Sequence, residues 1–180
     1  RFLRLVAIRT GTLLNLNELG RDAGVSQPTA KRWLSILQAS YQVHLLQPYH
    51  ANLSKRLIKA PKLYFGDTAL ATYLMGLHDS QTLLQGPQFG PLFETAVFLE
   101  HVKVLSISGD ISAMSFFRSH DGLEVDLLIE DSGKIYAREI KSSKTPSPHW
   151  GKNMTTLEQL LKKPLQKAVL APIQQAQHLS

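Results

Sequence analysis

The sequence predicts a mixed α/β protein in two parts. An N-terminal winged helix-turn-helix with a linking helix fills residues 1–86, and a C-terminal αβββαβ sandwich fills residues 87–180. Three observations carry this prediction. Two capped helical patterns meet at Gly24; two short apolar stretches flank a basic connection at residues 51–56; and from Pro91 an apolar helix precedes three strand-like runs, a helix and a last strand.

In "NLNELGRDAG", Asn17 reads as the N-cap of a short helix carrying Leu19 and Ala23, which Gly24 ends in a left-handed conformation. Ser26 caps the next helix, with Pro28 in its first turn, where a missing N–H costs nothing. Ala30, Trp33, Leu34 and Leu37 follow the i, i+3, i+4, i+7 spacing of a buried face. Gln27, Thr29, Lys31 and Arg32 lie off that stripe, a set able to touch the phosphates and base edges of DNA. A merely solvated face, or one packed on another domain, has the same pattern. "YQVHLLQPYH" and "LIKAPKLYFGD" read as strands, and "ANLSKR" between them is how a wing is written. Asp67 precedes the helical "TALATYLM" and reads as its N-cap. The Gly and Pro of "LLQGPQFGPLF" mark the domain boundary.

The second part reads as a helix from Pro91 to Val104, then strands at Ala113–Arg118, Glu124–Glu130 and Lys134–Ser142. A helix at His149–Leu161 and a strand at Gln166–Ala171 complete it. Leu127, Leu128 and Ile129 form the continuous apolar run expected of a strand covered on both faces.

An apolar content of 43% is enough for a core, and no apolar run approaches the roughly 20 residues of a membrane helix, so a cytoplasmic location with no membrane partner is expected. Cysteine is absent, which excludes disulfides and thiolate metal sites; any metal must sit on oxygen or imidazole. The net charge of +6 is uneven: ten Lys/Arg face two Asp/Glu up to Tyr64, and ten face twelve afterwards. A basic front suits a polyanion such as DNA, and equally suits an acidic neighbouring domain. The chain begins at Arg1 without a methionine, so a longer protein is expected.

The hairpin "LEVDLLIEDSGKIYAREIKSS" carries the chemistry. If "EDSGK" turns back so that Glu130 pairs with Ile135, then Leu128 faces Ala137, Asp126 faces Glu139 and Glu124 faces Lys141, all on one side of the sheet. Like charges directly opposed are destabilising. A shared proton, a nearby base or a divalent cation can compensate; Mg²⁺ or Mn²⁺ fits best, because hard cations take carboxylate oxygens. Lys141 can then hold a water or neutralise charge on a phosphate, or it can simply pair with Glu124. Upstream, Glu94 lies in "GPLFETAVFLEHVKV", in the first turn of a helix apolar on nearly every side.

Glu94, Asp126, Glu139 and Lys141, on helix, strand, strand and strand in the αβββαβ order, resemble the PD-(D/E)xK nuclease superfamily; Val125 stands where that family often has proline. The resemblance implies a nuclease-like sandwich in which the three acids bind Mg²⁺ and the lysine assists the water that cuts a phosphodiester. Over nearly the whole chain, segments such as "NELGRDAGVSQPTAKRWLSILQASYQVHLLQPY", "KRLIKAPKLYFGDTALATYL", "GPLFETAVFLE" and "FFRSHDGLEVDLLIE" resemble the region of unknown function that follows the ATPase module in prokaryotic AAA-type ATPases. This implies an ATPase module upstream; no G-x-x-x-x-G-K-[ST] motif occurs here, so ATP belongs to that module. The expected function is a Mg²⁺-dependent, DNA-binding nuclease module of such an ATPase. The alternative is a non-catalytic module that recognises DNA or a partner.

Overall fold

In the computed structural model, which describes residues 1–49, 57–108 and 113–173, the chain is mixed α/β, with seven α-helices and two sheets among those residues. It divides into unit 1, Arg1–Leu46 with Ala60–Leu99, and unit 2, Gln47–Lys59 with Glu100–Ser180.

Unit 1 contains α1 (Phe2–Ile8), β1 (Thr12–Leu13), α2 (Leu16–Ala23), α3 (Gln27–Ala39), β2 (Val43–Leu46), β3 (Lys62–Phe65), α4 (Thr68–Met75), α5 (Ser80–Gln85) and the start of α6 (Phe89–Ser108). Its sheet has the order β1-β3-β2, antiparallel throughout. Asn15, not Asn17, caps α2: its side chain accepts the Glu18 N–H at 3.1 Å. Starting one residue after Asn15 lets Leu16 and Leu19, three apart, both face the core, whereas Asn17 is already inside the first turn. Gly24 ends α2 at φ 77°, and Ser26 caps α3 by accepting the Thr29 N–H. Ala30 and Leu34 are buried, and Trp33 sets its edge against Phe2. Asp67 caps α4 as expected, accepting from Leu70 N–H at 2.7 Å. The helix expected after it is followed by a second: Gly76 stops α4 in the left-handed region, and Asp79 caps α5.

Val6, Leu19, Leu34, Val43, Leu63 and Phe65 lead the core of unit 1. Two buried threonines pin α6 to it. Thr10 Oγ1 accepts the Phe65 N–H at 2.9 Å and lies 2.7 Å from Thr95 Oγ1, so no buried hydroxyl is left without a partner here.

"ANLSKR", the expected wing tip, lies outside the described residues. Its described flanks belong to unit 2, where the Tyr49 N–H donates to the Phe116 carbonyl and the Ile58 N–H to that of Arg118. They run beside the edge of β4 (Met114–Arg118), whose open backbone groups would otherwise face water.

In unit 2 the sheet order is β4, β5 (Glu124–Asp131), β6 (Lys134–Ile140), β7 (Leu165–Leu170). The first two pairings are antiparallel and the last parallel. A parallel neighbour needs a crossover, supplied here by a 3₁₀ turn at Pro148–Gly151 and α7 (Lys152–Leu161). Ser132 and Gly133 both have positive φ, the two-residue hairpin turn whose twist suits the strands. It sets the expected register, Glu130 opposite Ile135 and Leu128 opposite Ala137. Val125, Leu128, Ala137, Met154, Leu157 and Leu165 form the core.

Gly66 follows β3 where a Cβ would lie 2.3 Å from the Tyr41 carbonyl oxygen, a backbone atom that cannot move away. Gly66→Ala is therefore expected to cost about 2 kcal/mol or more in urea unfolding, as overpacking does. Asn15→Ala should cost about 1 kcal/mol and Asn17→Ala much less.

Candidate functional site: an acidic pair at a sheet end

The β5–β6 ladder runs as far as Leu127 opposite Arg138. One step further the same register sets Asp126 across from Glu139, and there a side chain replaces the backbone pairing: the Ile140 N–H donates to Asp126 Oδ2 at 2.8 Å. Leu127 and Leu128 on β5 and Ala137 on β6 are fully buried, so the strands cannot move apart to separate the two acids without opening the core. Asp126 is 9% exposed and Glu139 4%.

Glu139 Oε1 accepts from Lys141 Nζ at 2.6 Å, while Oε2 is buried with no hydrogen-bond partner among the described residues. Burial, and then the charge of Asp126, push the Glu139 carboxyl up to about 7; Lys141 opposes the rise, and Glu124 adds slightly to it. Lys141 pairs with Glu139 rather than Glu124, which lies 3.3 Å from Arg118 on the neighbouring strand. The Lys141 backbone is fixed as well, its N–H donating to the Leu170 carbonyl.

A buried acceptor without a donor, beside a second carboxylate, is the environment a cation satisfies. Asp126 and Glu139 fit a hard divalent ion, which commonly takes one or two carboxylates and completes its shell with water. Among the described residues no group of three or more His, Asp or Glu side chains is arranged to hold a metal.

Glu94 belongs to unit 1. Because α6 begins at Phe89, two residues earlier than expected, Glu94 lies past the first turn, so the helix terminus is not what holds it. Its Oε1 accepts from Lys62 Nζ at 3.0 Å and from the Tyr64 hydroxyl at 2.6 Å. Lys62 is only 2% exposed, and Tyr64 stacks on Phe98 with ring centroids 4.1 Å apart. His44 sets its edge on the same Phe98, and burial lowers its pKa. Lys62 and Tyr64 were missed by sequence reasoning. Their signal was present in "KLYF", where two residues with polar tips stand two apart, on one face of an otherwise apolar strand.

On α3, Gln27, Lys31 and Arg32 are exposed, and Thr29 is half-buried with its hydroxyl 2.9 Å from that of Ser26. Three of the four expected DNA contacts thus face solvent, and the fourth takes part in the helix cap.

Fold and site together define a mixed α/β protein of two units, the second holding a buried acidic pair and a lysine at the end of its sheet. Residues 89–180 match the family described as Domain of unknown function (DUF4143), and the chain belongs to that family. Residues 1–81 match a second, Domain of unknown function (DUF8612). Uncharacterized proteins of Mycobacterium bovis and Mycobacterium tuberculosis are each 35% identical over 137 residues, 76% of this chain and 30% of theirs. The chain thus spans less than a third of these relatives. No solved structure matches it. Among the described residues no helix is long and apolar enough to cross a membrane.

Glu139 gives stability a definite pH dependence. Its folded-state value of about 7 stands above the ordinary 4.5, so on raising the pH the unfolded chain loses this proton first. The cost is absent below about pH 4.5, grows between 4.5 and 7, and is constant above that, on the order of 3 kcal/mol. Urea unfolding across this range should show Glu139→Gln lacking the downward slope of the parent protein.

Proposed function

We propose that unit 2 is a divalent-metal-dependent nuclease-like domain that cuts phosphodiester bonds in DNA, using Mg²⁺ or Mn²⁺. The observation that carries the reading is the partnerless buried oxygen of Glu139 beside Asp126, with Lys141 bonded to the other oxygen. Asp126 and Glu139 would hold the ion, which when bound supplies Lewis acidity and a water of lowered pKa. The chain's own residues do the rest. Asp126 is aimed by the Ile140 N–H, and Lys141 is held by Glu139 where an ammonium group can neutralise charge developing on a phosphate. The helix, three strands, helix and strand from α6 to β7 support a PD-(D/E)xK-like arrangement. The two capped helices of unit 1 support a winged-helix reading in which Gln27, Lys31 and Arg32 contact DNA, Thr29 helping to shape the turn. In the longer proteins of this family we place the region after an AAA-type ATPase module, which would bind the ATP.

One observation favours a second reading. With no third acidic ligand grouped beside the pair among the described residues, the domain could retain the arrangement without turnover and serve to recognise DNA or a partner.

Calorimetric titration with Mn²⁺ separates the two, together with cleavage assays on single-stranded, double-stranded and branched DNA. Asp126→Asn is the better control, because its carbonyl can still accept the Ile140 N–H. The nuclease reading expects Mn²⁺ binding and cleavage in the parent, both lost in Asp126→Asn, and cleavage reduced about 100-fold in Lys141→Ala with Mn²⁺ binding retained. Cleavage that survives Asp126→Asn would overturn it, and metal binding without cleavage would leave the second reading.

A further inference from the structure

The stretch leaving the acidic pair has an unusual composition. Residues 140–157 hold Lys141, Lys144, His149 and Lys152 and not one Asp or Glu. Lys144, His149 and Lys152 are exposed, and Trp150 is half-buried. Lys144 stands three residues beyond Lys141, so its Cα is within about 11 Å of that residue's.

The loop is anchored at both ends. The Lys141 N–H is tied to the Leu170 carbonyl, and α7 is rooted by the buried Met154 and Leu157. Between them the Thr145 N–H donates to the Ser143 hydroxyl. Ser147 caps the 3₁₀ turn, accepting the His149 N–H on its hydroxyl and that of Trp150 on its carbonyl. Pro146 and Pro148 remove further freedom. Little conformational entropy remains to be lost when this surface takes up a ligand.

Lys144 and Lys152, in a stretch of sequence free of Asp and Glu, attract a polyanion, and the partly exposed ring of Trp150 adds a selection of its own. Base stacking on such a ring is indifferent to sequence, but a base inside a duplex is already stacked on its neighbours. We infer that residues 141–152 form a shelf for a nucleic-acid strand with unpaired bases, one base stacking on Trp150 while Lys144 and Lys152 contact phosphates. The position of this strand beside Glu139 rests on the phosphodiester reading; its binding does not.

The test uses Trp33→Phe, which leaves Trp150 as the single tryptophan, in the absence of divalent metal. Oligo(dT), a duplex of equal length and polyglutamate are titrated by fluorescence quenching and anisotropy. Oligo(dT) should quench Trp150 and bind roughly tenfold more tightly than the duplex, and Trp150→Ala should lose about tenfold in oligo(dT) affinity while Trp150→Phe loses little. Replacing Lys144 and Lys152 together by alanine should flatten the log–log salt dependence by about 1.4. Absence of quenching by oligo(dT), or equal competition by polyglutamate, would overturn the shelf; the latter would point to an acidic protein partner. Quenching without any metal-dependent cleavage leaves the shelf and removes the nuclease reading, whereas cleavage without quenching removes the shelf alone.

Discussion

The repulsion between Asp126 and Glu139 is the constraint around which unit 2 is arranged. An antiparallel pair could relieve such a clash by splaying, but the neighbouring Leu127, Leu128 and Ala137 are fully buried and hold the strands at bonding distance. The relief is local instead. The backbone ladder stops one residue short, Asp126 takes the Ile140 N–H, Lys141 takes one oxygen of Glu139, and the proton on Glu139 is held up to about 7. Each measure is partial, and one oxygen still has no partner among the described residues. A group kept in so costly an environment makes this pair the candidate site of the molecule.

Unit 1 provides the contrast. It also buries charge, with Lys62 almost wholly enclosed, yet the opposite charge is at hand: Glu94 accepts from Lys62 and from Tyr64, whose ring lies flat on Phe98. Removing two charges from water costs several kcal/mol each, and only good geometry with further hydrogen bonds recovers it. That recovery is present around Glu94. The cluster therefore reads as a specification of how α6 meets β3, reinforced by the Thr10–Thr95 contact one helical position away. Opposite charges meet in one unit and like charges in the other, where one oxygen of Glu139 has no hydrogen-bond partner among the described residues: this difference directs the functional reading to unit 2.

Much of this was legible in the sequence because local rules decide it. The Ser132-Gly133 turn fixes the hairpin register, and with a side-chain period of two that register alone brings Asp126 to Glu139. Ser26, Asp67 and Gly24 act where their chemistry suggests. What failed was decided at a distance. Asn15 and Asn17 are equally good caps in isolation, and the choice falls to which start turns both Leu16 and Leu19 inward. The partners of Glu94 come from a strand some thirty residues earlier. The segment between β2 and β3 was expected to form one hairpin of the first part, yet its described ends bond to β4, because an unpaired edge competes for any chain that passes.

This last rearrangement changes how the charge should be understood. Along the chain the positive excess looks confined to the front, but Gln47–Lys59, which groups with unit 2, carries Lys55, Arg56 and Lys59. Assigned by unit, seven Lys/Arg stand against five Asp/Glu in unit 1, and thirteen against nine in unit 2. The unit bearing the acidic pair is thus the more positive of the two. On the nuclease proposal such a charge balance is needed, since two carboxylates would repel the strand they act on. On that proposal attraction would come from cations set apart from the acids, such as Lys144 and Lys152 in the acid-free run after Ile140.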